Sequence, residues 1–177
     1  MKKLYSTLLI ISVLALGFTA CNDDDAPAAN PLVGSWNVTN NMTITLSLNG
    51  EPVSYTVFGN TVFGLSEEES EAYVTEWLQN QVLGPIQANA RIEFRADNQF
   101  VVGTPGMQSS QGTFQVMNDG AVLRLTASGL PLSSYEFDVL STACPALKLR
   151  HSATIEILGA PQQYPYTVEL ELAKSGC

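Results

Sequence analysis

The feature that most constrains this chain is a period of two. Leu32, Gly34, Trp36 and Val38 fall on one side of an extended backbone, and Ser35, Asn37 and Thr39 fall on the other. Ile44, Leu46 and Leu48 alternate with Thr43, Thr45 and Ser47, and Val53, Tyr55 and Val57 with Ser54 and Thr56. The rhythm returns at Ile92 and Phe94, Phe114 and Val116, Leu123 and Leu125, and at Tyr135, Phe137 and Val139. It continues at Leu147 and Leu149, at Ile155 and Ile157, and at Tyr166, Val168, Leu170 and Leu172. Side chains change face at each step along a strand, so the pattern predicts half-buried strands with one apolar face.

Turn formers separate these runs: Asn40-Asn41, Asn49-Gly50, Asp97-Asn98, Asn118-Asp119-Gly120 and the stretch from Gly129 to Pro131. Asn-Gly and Asp-Gly tolerate the positive φ of tight hairpins. Short links make consecutive strands antiparallel. The expected fold is therefore mainly β, an antiparallel meander of roughly eight to eleven strands, closed into a barrel or a sandwich to protect its edges. Its polar face is outside, the reverse of an outer-membrane barrel.

One segment breaks the rhythm. Ser66 to Glu69 reads as a capping box, and Glu67, Glu68 and Glu69 suit the positive end of a helix dipole. Tyr73, Val74, Trp77, Leu78 and Val82 share a stripe, and Gly84-Pro85 ends it. This predicts one inserted helix at about residues 67–83. Its stripe either plugs a barrel end or forms a lid over a ligand.

The N-terminus reads as an address. Lys2 and Lys3 precede the apolar run Leu4 to Phe18, which is shorter than the about 20 residues of a membrane span. Residues 1–20 are expected to be a signal peptide, 21–30 a tether and 31–177 the folded domain. Behind Cys21 lies the acidic run Asn22-Asp23-Asp24-Asp25, whose repulsion keeps a tether extended.

Without residues 1–20 the chain holds 6 basic and 17 acidic residues, a net charge of −11. That argues against nucleic acid, which needs basic patches. Cys144 and Cys177 remain as an even pair. An oxidising compartment favours a disulfide between them; two free thiols are the alternative. Four-ligand zinc spacing is lacking, so no metal or cofactor is expected.

Phe18-Thr19-Ala20-Cys21 resembles the lipobox of bacterial lipoproteins. Together with the acidic tether and Leu32-Val33-Gly34-Ser35-Trp36, it resembles the lipocalin-like lipoproteins of the Bacteroides group, which implies a calycin-type fold, an antiparallel up-and-down β-barrel of about 8–10 strands. Ile92 to Phe100, Gln111-Gly112-Thr113-Phe114 and Asn118 to Leu125 are similar to the family's hairpins. The resemblance implies lipid on Cys21, a place at the outer membrane with the cell surface as the favoured face, and a Trp36 that closes one barrel end. The Thr-Asp-Tyr motif and the Arg that packs on the family's Trp have no counterpart. A helix among the first strands is closer to fatty-acid-binding proteins.

Catalytic chemistry finds little support. His151 is the single histidine; it sits where two strands are expected to turn and reads as an exposed turn residue. Glu136 with Asp138, and Glu169 with Glu171, lie opposite the apolar face and read as solvated surface. The expected function is non-enzymatic binding of a small apolar ligand. The candidate cavity or core residues are Trp36, Tyr73, Trp77, Phe94, Phe114, Tyr135, Phe137 and Tyr166. The alternative is a fully packed barrel that presents a surface to a protein or glycan partner.

Overall fold

The computed structural model describes residues 30–104, 106, 109–128, 130–157 and 163–176. The leader, Cys21, the acidic tether and Cys177 lie outside them. Ten strands form one antiparallel sheet. They are β1 (Gly34–Val38), β2 (Thr43–Leu48), β3 (Glu51–Val53), β4 (Arg91–Phe94) and β5 (Gln99–Gly103), then β6 (Ser110–Met117), β7 (Val122–Thr126), β8 (Ser134–Ser141), β9 (Ala146–Glu156) and β10 (Gln163–Lys174).

Neighbours follow chain order from β4 to β10, and β1 pairs with both β4 and β10. That double pairing closes eight strands into a barrel, and closure removes the exposed edges that invite aggregation. β10 holds three partners: β9 along most of its length, β1 at Leu172 to Lys174 and β2 at Val168 and its neighbours. β1 and β2 thus lie in line along one flank of β10.

The hairpin turns sit where their chemistry permits. Asn49 and Gly50 both take positive φ, at 54° and 86°, between β2 and β3. Asn98 does so between β4 and β5, and Asn118, Asp119 and Gly120 between β6 and β7. Small or locally hydrogen-bonding side chains tolerate this backbone.

Alternation delivers the expected core. Phe94, Phe100, Phe114, Tyr135, Phe137, Tyr166 and the leucines of β7, β9 and β10 are buried. The opposite face carries Arg124 against Glu136, Arg150 2.8 Å from Glu169 and Lys148 3.5 Å from Glu171. These cross-strand pairs are partly exposed, so each adds little stability.

Two helical segments, not one, lie between β3 and β4. The first, α1 (Tyr55–Phe58), runs into a π-helical turn at Gly59–Phe63. The period-two reading of Val53, Tyr55 and Val57 therefore fails after Val53. Ser54 Oγ caps α1 by accepting from Val57 N at 3.2 Å. The helix buries Phe58 and leaves Val57 outside. Three alternating positions were too few to separate a strand end from a helix start.

The second segment, α2 (Glu67–Leu78), continues into a π-helical turn at Gln79–Leu83. The Glu69 carboxylate accepts from Ser66 N at 3.3 Å and from Ser66 Oγ at 2.7 Å, and Ser66 Oγ accepts from the Glu69 backbone N–H, the reciprocal capping box that the sequence suggested. Ser70, Val74, Leu78 and Val82 form the buried stripe. Gly59 carries no side chain where α1 crosses α2: a Cβ there would lie 2.6 Å from Ser70 Cβ. The stripe plugs the barrel end, and Tyr135 Oη donates to Val82 O at 2.5 Å across that junction.

The opposite end is closed by Trp36. Its indole N–H donates to Leu32 O at 2.7 Å, and the residue is 2 % exposed. The Lys174 ammonium stands 5.1 Å from the ring centroid and donates to Pro31 O at 3.0 Å. Lys174 occupies the cationic position over the Trp ring, a cation–π contact supplied from the last strand.

Candidate functional site

The wall of the barrel is split on one side. β7 pairs β8 over Val122 to Thr126, and β9 pairs β10 from Ala146 to Glu156. Between β8 and β9 the registered pairs are Asp138 with Arg150, Val139 with Leu149 and Ser141 with Lys148. Towards the helix end of the barrel, Ser134 to Phe137 and His151 to Glu156 have no ladder pairing with each other among the described residues.

His151 stands at the foot of this split. Its Nδ1 is 2.8 Å from Glu136 O, across the seam, and its Nε2 is 3.1 Å from Tyr166 Oη. A carbonyl oxygen only accepts, so Nδ1 carries the proton and Nε2 accepts from the Tyr166 hydroxyl. The side chain thus stands in for the ladder bond that β9 no longer makes. His151 is not an exposed turn residue: it is 6 % exposed and lies inside the continuous strand β9. The inward parity of Leu147 and Leu149 carries on to His151, which lets one strand run where two were expected.

Beyond the unpaired stretch, the β7–β8 link and the end of β9 flank a cleft of about 450 Å³, the β8–β9 cleft. One side is Pro131 and Leu132 from the β7–β8 link, and the other is Thr154, Ile155, Glu156 and Ile157 of β9 and its end. Trp77 and Gln81 hang over it from α2 and its π-helical turn, and Tyr166 lines it from β10. Gly84 holds the first side in place. It ends the turn with φ 52°, and a Cβ on it would meet Pro131 Cδ at 2.5 Å.

The interior beneath is filled. Val82, Leu83, Ile86, Tyr135, Phe137, His151, Val168 and Leu170 enclose a void of about 10 Å³, room for about one water molecule. Small-molecule sites typically need about 300–1,000 Å³, so the cleft meets that scale and the void does not.

The expected aromatic residues divide into groups. Trp36 closes the far end. Phe94 packs edge-on to Phe114 at 4.9 Å in the core. Tyr135, Phe137 and Tyr166 surround His151 with centroids 5.3, 5.5 and 5.7 Å away. Trp77 packs on Phe63 at 5.3 Å and Phe58 at 6.2 Å, half-buried. Tyr73 is 45 % exposed and leans on Phe63, away from the core. The cleft therefore brings together Trp77 and Tyr166 from the expected set. Leu132, Gln81, Thr154 and Glu156 join them without any sequence signal, because a seam belongs to two strands and not to one.

Burial pushes the Tyr135 and Tyr166 hydroxyls up to about 12. Both phenols stay neutral at ordinary pH and act as hydrogen-bond donors. Among the described residues no three His, Cys, Asp or Glu side chains converge on a common point. Cys144 is disulfide-bonded, and its expected partner Cys177 lies outside the described residues. No helix of the described residues is long and apolar enough to cross a membrane. No family model matches the chain, and no characterised protein matches it in sequence.

Proposed function

We propose that this barrel is anchored at the outer membrane through lipid on Cys21 and binds a small, largely apolar molecule without transforming it. The observation that carries the binding half is the β8–β9 cleft, with its half-buried Trp77 and a volume of about 450 Å³. The ligand lies in this cleft and not in the void of about 10 Å³ beneath it, which is too small to hold one. The anchoring half rests on the resemblance of the leader and Cys21 to a lipobox.

The cleft and the point where the chain enters the barrel, at Pro31, are at opposite ends of β10. β10 begins beside the cleft at Gln163 and ends at Lys174, which holds Pro31. Twelve strand residues span roughly 36 Å along the strand at about 3.3 Å per residue. The tether thus joins the barrel at its closed end.

Protein purified from its native host should release an apolar molecule on solvent extraction, seen by mass spectrometry. Leu132→Arg, which places a bulky charge in the cleft, should come out empty with an unchanged far-ultraviolet spectrum. Equal recovery from both proteins, or none from the wild type, would sink the cleft as a ligand site. A packed barrel that presents a surface to a protein or glycan is the second reading. The exposed Tyr73 and Val57 on the outer side of the helices favour it. For the anchor, Cys21→Ser should move the protein from the membrane fraction to the soluble fraction.

A further inference from the structure

We infer that the occupant of the β8–β9 cleft carries a cationic head group, a protonated amine or quaternary ammonium on an apolar body, and not a carboxylate or phosphate. This rests on the cleft being a ligand site.

The first observation is where every cation has gone. Outside the leader the chain has six basic residues. Arg91 donates to Ser35 Oγ on the outer face, and Arg95 pairs with Glu93 near the β4–β5 turn. Arg124, Lys148 and Arg150 pair with Glu136, Glu171 and Glu169 outside the barrel. Lys174 stands over Trp36 at the closed end. None of the six lines the cleft. A buried anionic head would have no counter-charge there, and burying an unpaired charge is strongly unfavourable.

The second observation is the polarity of the cleft itself. Its single ionisable lining group that is charged at neutral pH is Glu156, held by Gln163 Nε2 at 2.5 Å. On β9, Ile155 turns inward and Glu156 outward, so an apolar side chain faces the cleft and the carboxylate stands at its lip. Trp77 lines the same cleft, half-buried, and an ammonium over an indole gains a cation–π attraction. An apolar tail against Ile155 would set its head between Glu156 and Trp77. The field of a mature chain at −11 favours the approach of a cation and repels an anion.

The test is a matched decyl series titrated into the delipidated mature protein: decyltrimethylammonium, decanol and decanoate, each below its micelle concentration. Calorimetry gives the affinities, and the shift of the Trp77 indole N–H resonance reports the place. The ammonium should bind at least about tenfold more tightly than decanoate, with decanol between them. Glu156→Gln should bring the ammonium down to the level of decanol and leave decanol unchanged. If decanoate binds as well as the ammonium, or Glu156→Gln changes nothing, the head-group inference is overturned and the cleft site stands. If no member of the series binds or shifts Trp77, the cleft site falls and takes this inference with it.

Discussion

The Tyr166 hydroxyl on β10 donates a hydrogen bond to His151 Nε2 over 3.1 Å, and His151 Nδ1 in turn donates across the seam to Glu136 O at 2.8 Å. One imidazole therefore ties three strands together at the point where the β8–β9 ladder stops. It also separates the open cleft from the packed interior.

Removing that tie is expected to be costly. His151→Ala strips partners from the Glu136 carbonyl and the Tyr166 hydroxyl and leaves space behind. The expected loss is about 2–4 kcal/mol, since each orphaned buried group costs about 1–3. His151→Leu fills the volume but restores neither bond, so it should recover part of the loss. Urea unfolding midpoints at constant slope measure both. If the two variants matched wild type, the seam would be held by something other than this side chain.

Stability should fall in alkali. Tyr135 and Tyr166 have folded values near 12 against an ordinary 10.0, because burial disfavours the phenolate. The unfolded chain loses these protons first, so it binds fewer protons than the native state as pH rises from about 10 to about 12. Stability is then fully present below about pH 10 and declines through that window. Urea midpoints against pH should bend downwards there, and Tyr166→Phe should flatten the bend. Complete phenolate absorbance at pH 10 with the fold intact would contradict the burial of these hydroxyls.

The closed end has its own keystone. Trp36→Ala should cost about 3–5 kcal/mol, as for other buried aromatic truncations. Lys174→Met keeps the apolar stem but loses the ammonium over the ring, an expected cost of about 0.5–2 kcal/mol. In Trp36→Ala the Lys174 change should cost less than in wild type. A double-mutant cycle reads that coupling, and additive losses would show that the ring and the cation do not interact.

Gly84 is expected to be intolerant. Gly84→Ala puts a β-carbon into Pro131 and forces a side chain onto φ 52°, ψ −124°, with strain of about 1–3 kcal/mol before any clash. Pro131 would have to move, so ligand binding in the cleft should weaken along with stability. A variant that unfolds like wild type would mean that this link repacks freely.

The disulfide of Cys144 is expected to reach Cys177. Closing that loop of about 33 residues is worth roughly 3–4 kcal/mol in a chain-entropy treatment. Non-reducing peptide maps should show the cross-linked pair, and Cys177→Ser should lower the melting temperature. A free thiol at Cys177 in the mature protein would rule the pairing out.

Much of the barrel was legible because it depends on parity and on local turn chemistry. Phe94, Phe114, Tyr135 and Leu170 declare an inner face one residue at a time, and Asn49-Gly50 declares its turn by itself. Lys174 over Trp36 was not legible: the residues meet through β1–β10 pairing, and nothing beside Trp36 in the chain points to a lysine so far away. His151 could have been placed by continuing the parity of Leu147 and Leu149, but a lone charged-looking neighbourhood suggested a turn. The seam had no signature at all. How far β9 pairs along β8 depends on both strands together, and neither strand's own sequence records where the ladder stops beyond Asp138 and Arg150.

The double pairing of β1 has a mechanical meaning. The chain enters the barrel through β1, whose hydrogen bonds to β4 and β10 lie across its length on both sides. A pull on the tether therefore loads those bonds together in shear, and they cannot be peeled open one after another. A load applied between the entry of the chain and the far end of the barrel would meet β1 held along both of its edges.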